Sequence, residues 1–197
     1  GHLRSAGHTV TGTPESGEMI IINTCGFVED AIDESIDVIL DLARYKTAGT
    51  CRYLVVAGCL PERFGEDIAA ALPEVDLFVG TGALDYIVHA AREAPGLKGC
   101  IFPDPNDFTL NGYHVRQLLN PGLPAAYVKI AEGCSNCCSY CIIPELRGPL
   151  RSRTIESIAA EVEQRVQAGV KEINLIAQDI TAYGKDRDDD TSLELLL

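Results

Sequence analysis

The stretch that organises this chain of 197 residues is Cys134-Ser-Asn-Cys-Cys-Ser-Tyr-Cys141, which holds four of its eight cysteines. Within it, Cys134, Cys138 and Cys141 have the spacing C-x3-C-x2-C. Cysteine thiolates are the usual ligands of iron–sulfur clusters, which are normally held by four of them. Three thiolates this close can bind three irons of a cubane cluster. The spacing therefore predicts a cluster whose fourth iron is open to another ligand.

Zinc is the alternative metal, because the same stretch contains two adjoining C-x2-C pairs, Cys134 with Cys137 and Cys138 with Cys141. In structural zinc sites such pairs are normally separated by about a dozen residues or more, so that two turns can close a tetrahedron. Here the pairs adjoin, and the pattern favours the three-ligand cluster. A disulfide framework is typical of small secreted scaffolds, which this chain does not resemble.

The composition is that of an ordinary soluble globular protein, with 46% hydrophobic and 23% charged residues. The length allows one large or two small domains. No apolar run approaches the length of a membrane span, and no signal peptide opens the chain. Because dense use of unpaired cysteines suits a reducing compartment, we expect a cytoplasmic location and no membrane partner.

The net charge is −13, from 29 acidic and 16 basic residues. Phosphate binding needs clustered Lys and Arg, so this balance argues against a broad nucleic-acid surface. It is compatible with a basic protein partner. An acidic surface that only keeps the protein soluble is the alternative explanation.

Strands and helices alternate in the first half of the chain. Continuous apolar runs at residues 19–22, 53–57 and 76–79 are typical of buried parallel strands, and apolar residues at helical spacing follow each of them. This alternation predicts a parallel sheet with right-handed crossovers.

Two cysteines follow the first two of these strands, in Cys25-Gly26 and Gly58-Cys59. Functional loops of parallel sheets lie at the carboxyl ends of the strands. A single cysteine there can be a buried, inert residue, but two at equivalent positions indicate a shared metal site. Cys51 precedes a strand and Cys100 has no visible ligand partner, so we assign neither a role.

The sequence divides into an N-terminal domain over 1–94, a linker over 95–124 rich in Pro, Gly and Asn, and a second domain over 125–197. In the second domain, a strand at 126–131 leads into the cysteine stretch, Thr154 is the expected N-cap of a helix, and another strand covers 172–177. A strand, loop, helix and strand in this order predict the first units of a (β/α) barrel.

Several motifs resemble the radical S-adenosylmethionine (radical SAM) methylthiotransferases. They are Ala131-Glu-Gly-Cys134, Cys138-Ser-Tyr-Cys141-Ile-Ile-Pro144, Asn23-Thr-Cys-Gly-Phe27 and Ala57-Gly-Cys-Leu60. One branch of this family modifies an adenosine of tRNA, and the RimO-type branch modifies an aspartate of ribosomal small-subunit protein twelve. Gln178-Asp179-Ile-Thr-Ala-Tyr183-Gly184 resembles the RimO-type branch, since the tRNA branch more often has Gln-Asn at this position. We therefore expect the ribosomal protein as substrate and consider tRNA the alternative.

The resemblance implies two [4Fe–4S] clusters and S-adenosylmethionine as cofactors. One cluster, on Cys134, Cys138 and Cys141, would bind the amino and carboxylate groups of S-adenosylmethionine. Its reduction by an electron donor would give a 5′-deoxyadenosyl radical, which removes hydrogen from the β-carbon of the aspartate. The second cluster, with Cys25 and Cys59 as ligands, would hold or deliver sulfur, and a second S-adenosylmethionine would supply the methyl group.

The resemblance also implies roles for residues beside the cysteines. Tyr140 stands where this superfamily commonly places an aromatic ring near the adenine, although a packing tyrosine is the alternative. Gln178 is expected to face the cofactor or substrate. For Arg147, Arg151 and Arg153 the alternatives are contact with an acidic substrate or cofactor carboxylate and simple solvation on a loop.

The sequence departs from the family pattern in three respects. The N-terminal cluster of the family has three cysteines, and the first is expected upstream of Gly1. We also expect the rest of the barrel and a small β-rich domain to be absent, so the chain reads as a fragment that is not expected to be active alone. Cys137 is an extra cysteine, and a non-catalytic iron–sulfur or zinc module that uses it is the remaining alternative.

Overall fold

The computed structural model describes residues 2–83, 86–93, 97–107 and 123–197. The chain forms two compact units, one made of the described residues up to Asp107 and the other of those from Leu123 onward. Within the described ranges no helix combines the length and apolar character needed to cross a membrane.

The first unit is a parallel sheet with helices between its strands. The strands are β1 (Met19–Thr24), β2 (Tyr53–Gly58), β3 (Leu77–Val79) and β4 (Gly99–Ile101), in the order β1-β2-β3-β4. The helices are α1 (His2–Ser5), α2 (Glu29–Ala43), α3 (Tyr45–Ala48), α4 (Cys59–Phe64), α5 (Glu66–Ala71) and α6 (Tyr86–Glu93). The predicted parallel α/β sheet is thereby confirmed.

Both faces of this sheet are buried, which explains why its strands are continuous apolar runs. Successive side chains of a strand point to opposite faces. Leu54 of β2 accordingly packs in one cluster with Ile39 of α2, whereas Val55 packs in another with Ala90 of α6. The register of β2 against β1, with Thr24 opposite Gly58, sets the position of the loop that follows it.

The strand β4 lies inside the stretch that the sequence analysis assigned to the linker. Cys100 pairs with Phe78 of β3, so the first unit includes β4, and the predicted boundary at residue 94 falls too early. β4 has only three residues and stands among Gly and Pro residues, so the sequence pattern does not indicate a strand there. Residues 94–96 and 108–122 of the predicted linker lie outside the described residues.

The second unit contains one strand–helix–strand crossover and a small antiparallel pair. Its elements are β5 (Ala125–Lys129), β6 (Ala131–Glu132), α7 (Ile143–Arg147), β7 (Arg151–Ser152), α8 (Ile155–Gln167), β8 (Glu172–Ile176) and α9 (Leu193–Leu196). β5 pairs with β8 in parallel, and β6 pairs with β7 in antiparallel. The parallel pair with its crossover helix matches the predicted start of a (β/α) barrel.

The helix α8 begins and ends where the sequence predicts. The Oγ1 of Thr154 accepts a hydrogen bond from the Ser157 amide at 3.2 Å, an N-cap of the kind that stabilises a helix by about 1 kcal/mol. Beyond its end, Gly169 has a φ of 92°. Glycine adopts this left-handed conformation without steric penalty, and the chain can therefore turn back towards β8.

Candidate functional site

Cys25 and Cys59 lie side by side at the carboxyl ends of β1 and β2 in the first sheet. Thr24, the last residue of β1, pairs with Gly58, the last residue of β2, and each is followed directly by a cysteine. Cys25 is exposed, whereas Cys59 is buried as the first residue of α4. The predicted neighbourhood of these two cysteines therefore exists in the fold.

The glycines beside the cysteines allow the two loops to lie backbone against backbone. A Cβ atom on Gly26 would lie 2.5 Å from the carbonyl oxygen of Cys59. One on Gly58, whose φ is 109°, would lie 2.7 Å from the carbonyl oxygen of Thr24. Real Cβ atoms do not approach so closely, so only glycine fits at either position without a shift of the backbone.

Hydrogen bonds fix the backbone at these carboxyl ends of β1 and β2. The Thr24 hydroxyl donates to the Ala57 carbonyl at 2.9 Å, which ties β1 to β2 just before the cysteines. Nη1 of Arg63 donates to the Gly26 carbonyl at 2.8 Å. The main chain at Cys25 and Cys59 is thus fixed from both strands and from α4.

Cys51 and Cys100 lie away from these strand ends. Cys51 precedes β2, at the amino end of the strand whose carboxyl end carries Cys59, and Cys100 lies within β4. Burial raises the pKa of both thiols. Their positions give neither thiol a role beside Cys25 and Cys59.

The cysteine stretch of the second unit is a loop closed at its base. The Cys134 amide donates to the Gly148 carbonyl at 3.1 Å, and the Leu150 amide donates to Oγ of Ser135 at 3.0 Å. A Cβ atom on Gly133, whose φ is 75°, would lie 2.1 Å from the carbonyl oxygen of Pro149. Gly133 is therefore the point where the two ends of the loop meet.

Exposure increases from the base of this loop to its tip. Cys134 is buried, Cys141 is half-buried, and Cys137 and Cys138 are exposed. Tyr140 is 87% exposed. No residue that the structure describes covers the ring, and both the contact of Tyr140 with an adenine ring and the packing alternative stay predictions.

The donor set of this loop fits an iron–sulfur cluster, because closely spaced thiols are the ligands that such clusters use. Across the described residues, no three His, Cys, Asp or Glu side chains stand together in an arrangement that could hold a metal ion. Ligation by Cys134, Cys138 and Cys141, and by Cys25 and Cys59, thus stays a prediction that rests on spacing and position.

A buried carboxylate lies two residues before Cys134. Oε2 of Glu132 accepts a hydrogen bond from Lys129 at 2.5 Å, and Oε1 accepts one from Gln178 at 2.8 Å. Arg147 forms an ion pair with Oε1 at 3.4 Å. Burial raises the pKa of Glu132, but Lys129, Arg147 and Gln178 together lower it more, and the pKa lies below its usual value.

A second contact joins the cysteine loop to the residues after β8. Nδ2 of Asn136 donates to Oδ2 of Asp179 at 2.8 Å. The other carboxylate oxygen, Oδ1, accepts from the amide and the hydroxyl of Thr181 at 3.0 and 2.7 Å. Hydrogen bonds from Thr181 and Asn136 lower the pKa of Asp179. Glu132 and Asn136, which the sequence analysis did not assign, thus link the cysteine loop to Gln178 and Asp179.

Arg153 corrects the expectation for the loop arginines. Its side chain is only 1% exposed, and Nη1 donates to Oε2 of Glu161 at 2.6 Å and to the Lys129 carbonyl at 2.7 Å. Arg153 is neither a solvated residue nor available to a cofactor carboxylate, since it forms a buried ion pair with Glu161 of α8. Breaking such a pair is normally costly.

Two family models match the chain, one in each unit. Residues 1–80 match the model described as uncharacterized protein family UPF0004, and residues 128–196 match the radical SAM superfamily. The matched segments contain, respectively, the pair Cys25 and Cys59 and the three cysteines of the C-x3-C-x2-C motif.

Curated relatives match over the whole chain. It is 48% identical over 199 residues to the ribosomal protein uS12 methylthiotransferase RimO of Pelobacter propionicus and to that of Geobacter sulfurreducens, and covers 44% of each. It is 46% identical over 206 residues to the RimO of Syntrophotalea carbinolica and covers 43% of it.

A solved structure shares the fold. It is the radical S-adenosylmethionine methyltransferase TsrM from Kitasatospora setae, with a TM-score of 0.57 and 14% identity over 84% of this chain and 38% of that one. The matches define the class, a radical SAM protein with a preceding UPF0004 segment. Over its whole length the chain is similar to the curated methylthiotransferases named RimO, and it spans less than half the length of these relatives.

Proposed function

We propose that the protein that contains this chain is a radical SAM methylthiotransferase, which adds a methylthio group to the β-carbon of an aspartate in ribosomal protein uS12. The observation that carries the proposal is 46–48% identity over the whole chain, through both cysteine sites, to proteins named for this activity. A match to the radical SAM motif alone would define the superfamily and leave the reaction open.

The cysteines divide between two proposed clusters. Cys134, Cys138 and Cys141 bind the [4Fe–4S] cluster that receives S-adenosylmethionine, and Cys137 is a bystander. Cys25 and Cys59 bind a second [4Fe–4S] cluster that requires a further ligand. Their side-by-side position at the ends of β1 and β2 supports this assignment. When bound, these groups supply one-electron and radical chemistry, which can break the unactivated C–H bond of the aspartate side chain.

The chain's own residues hold and orient the loops that carry the cysteines. Gly26 and Gly58 keep the backbones beside Cys25 and Cys59 in contact, which fixes the distance between the two ligand-bearing loops. Hydrogen bonds from the Cys134 and Leu150 amides close the base of the other loop, so that the exposed thiols lie on a loop with fixed ends. Tyr140 offers an uncovered ring at the tip for stacking on the adenine of S-adenosylmethionine.

The partners follow from the same reaction. The substrate is a ribosomal protein, and the net charge of −13 on this chain suits a basic partner. Reduction of the clusters requires an electron donor. A ribosomal protein as substrate and cysteine thiols as cluster ligands both favour a cytoplasmic location.

The test uses the full-length protein, loaded with iron and sulfide without oxygen and then reduced. It is incubated with S-adenosylmethionine and either uS12 or tRNA, and each product is examined by mass spectrometry. We expect a methylthio group on an aspartate of uS12 and none on tRNA. A uS12 variant with asparagine at the modified position is the matched control, and it is expected to stay unmodified.

The alternatives give different results in the same experiment. Transfer to tRNA alone would place the protein in the tRNA branch of the family. A cluster-loaded protein that neither cleaves S-adenosylmethionine nor changes its cluster spectrum on adding it would be a non-catalytic iron–sulfur module. Zinc in place of iron, lost together with any one of the four cysteines of residues 134–141, would identify a zinc module.

A further inference from the structure

Glu132 connects three elements around the cysteine loop. It is a buried carboxylate, only 4% exposed, on the short strand β6. Its donors are Lys129 at the end of β5, Arg147 at the end of α7, and Gln178 after β8. A carboxylate so placed joins both ends of the loop to the neighbouring strand end.

The charge of Glu132 determines how the amide of Gln178 is turned. A carboxylate paired with Lys129 and Arg147 is ionised and can only accept hydrogen bonds. The side chain of Gln178 must therefore direct its NH₂ group to Glu132, at 2.8 Å, and its oxygen elsewhere. A neutral partner that can both donate and accept hydrogen bonds would fit either orientation of the Gln178 amide.

The amide oxygen of Gln178, which faces away from Glu132, is an acceptor that needs a donor. Oε1 of Gln178 is buried and accepts no hydrogen bond from any residue that the structure describes. A buried acceptor without a partner is unfavourable, and most such groups in proteins have one. The hydrogen bond to Glu132 fixes this orientation but leaves the oxygen without a donor, whereas a ligand that donates a hydrogen bond would supply one.

The position of Gln178 agrees with a ligand role. Lys129 and Ile176, the last residues of the paired strands β5 and β8, are in register. Gln178 and the cysteine loop therefore both leave the strands at their carboxyl ends, which is the edge where barrels of this kind bind ligands.

We propose that Glu132 is a positioning residue, which holds the amide of Gln178 so that its oxygen accepts a hydrogen bond from an N–H or O–H group of S-adenosylmethionine. The inference rests on the proposed function, because it takes the ligand from it. The donors on that ligand are the ribose hydroxyls, the adenine amino group and the N–H groups of the α-amine, which an amine keeps when its lone pair binds iron.

The test measures the dissociation constant of S-adenosylmethionine by equilibrium dialysis, with the full-length, cluster-loaded protein. The variants are Gln178→Met, which keeps the length of the side chain but has no amide, Glu132→Gln, and the two combined. Gln178→Met removes one hydrogen bond to a buried acceptor and is expected to weaken the binding of S-adenosylmethionine by about tenfold. Gln164→Met, on the exposed face of α8, is the matched control and is expected to bind normally.

The double variant separates positioning from a direct role. Because Glu132 acts through Gln178, Glu132→Gln is expected to weaken binding further by less than about twofold once Gln178 is methionine. Additive losses would overturn the inference, as would normal binding by Gln178→Met. Loss of iron from Glu132→Gln would also overturn it, since Glu132 would then support the cysteine loop itself. If the unsubstituted protein binds S-adenosylmethionine but transfers no methylthio group to uS12, the proposed function is contradicted and this inference stands.

Discussion

The two cysteine sites are built in opposite ways. Cys25 and Cys59 come from separate strands, and the register of β1 and β2 together with two glycines brings their backbones together. The cysteines of 134–141 come from one loop, which is fixed at its base and exposed at its tip. The first site thus depends on the core of a sheet, and the second on local spacing.

This difference decides which substitutions should damage each site. At the sheet edge, backbone contacts carry the geometry, so small changes beside the cysteines should act through stability. On the loop, the side chains carry the geometry, so changes of the cysteines themselves should act on the metal with little effect on the fold.

The largest effect is expected from the thiols of the loop. In a full-length protein with Cys25→Ala and Cys59→Ala, which isolates the second site, Cys138→Ala should abolish the bound iron, since two thiolates do not retain the cluster. Cys137→Ala is the matched control, one residue away and equally exposed, and should retain the iron. Iron and sulfide analysis measures both, and loss of iron from Cys137→Ala would contradict the three-ligand assignment.

At the sheet edge, Gly26→Ala should destabilise the first unit by about 2–3 kcal/mol, the range expected when a close-packed backbone must shift. Gly58→Ala should do at least as much, because it adds an unfavourable φ of 109°. Gly65→Ala is the control for Gly58→Ala, because its φ is also positive but no atom lies within 4 Å of the added Cβ. Gly12→Ala, which has the same open space and no positive φ, is the control for Gly26→Ala and is expected to leave stability unchanged.

Hydrogen exchange of the amides in β1 and β2 of the full-length protein measures these changes where they occur. An effect of Gly26→Ala no larger than that of Gly12→Ala would show that the two cysteine loops do not lie in contact.

At the base of the loop, Gly133→Ala should destabilise the second unit by a similar amount, about 2–3 kcal/mol, since its Cβ would collide with the Pro149 carbonyl. Gly169→Ala is the control, because it also has a positive φ but open space around it. Exchange of the amides in β5 and β8 is the measurement. Equal effects of the two substitutions would mean that the loop base is not tightly closed.

The smallest effect is expected from the link between the loop and the residues after β8. Asn136→Ala removes the hydrogen bond to Asp179 and should ease opening of the loop by about 1 kcal/mol, without change in global stability. Asn174→Ala, which removes a similar exposed bond to Glu172, should leave the loop unchanged. Local hydrogen exchange of residues 135–141 distinguishes the two, and identical exchange in both would contradict the link.

The same contrast explains what the sequence can predict. The strands β1, β2, β3, β5 and β8, the N-cap at Thr154 and the positions of the two cysteine sites follow from local patterns and strand order. The close contact between Gly26 and Cys59 does not, since it depends on the register of strands that are 33 residues apart, as the Thr24 hydrogen bond to Ala57 shows.

Buried charges were the other feature beyond prediction. Arginine is almost never fully buried unless it is paired, so Arg153 was expected on the surface, and its partner Glu161 is eight residues away on α8. The only signal for Glu132 is a carboxylate directly after an apolar strand, and its donors come from positions up to 46 residues distant. Local sequence does not specify such partners.

The central claim is that the loop of residues 134–141 binds a cluster with one iron open to S-adenosylmethionine. Its most direct test is the electron paramagnetic resonance spectrum of the reduced full-length protein with Cys25→Ala and Cys59→Ala, recorded with and without S-adenosylmethionine. We predict that the ligand changes the spectrum, and that it does so equally when Cys137 is also replaced by alanine. A spectrum that is unchanged by S-adenosylmethionine would contradict the account.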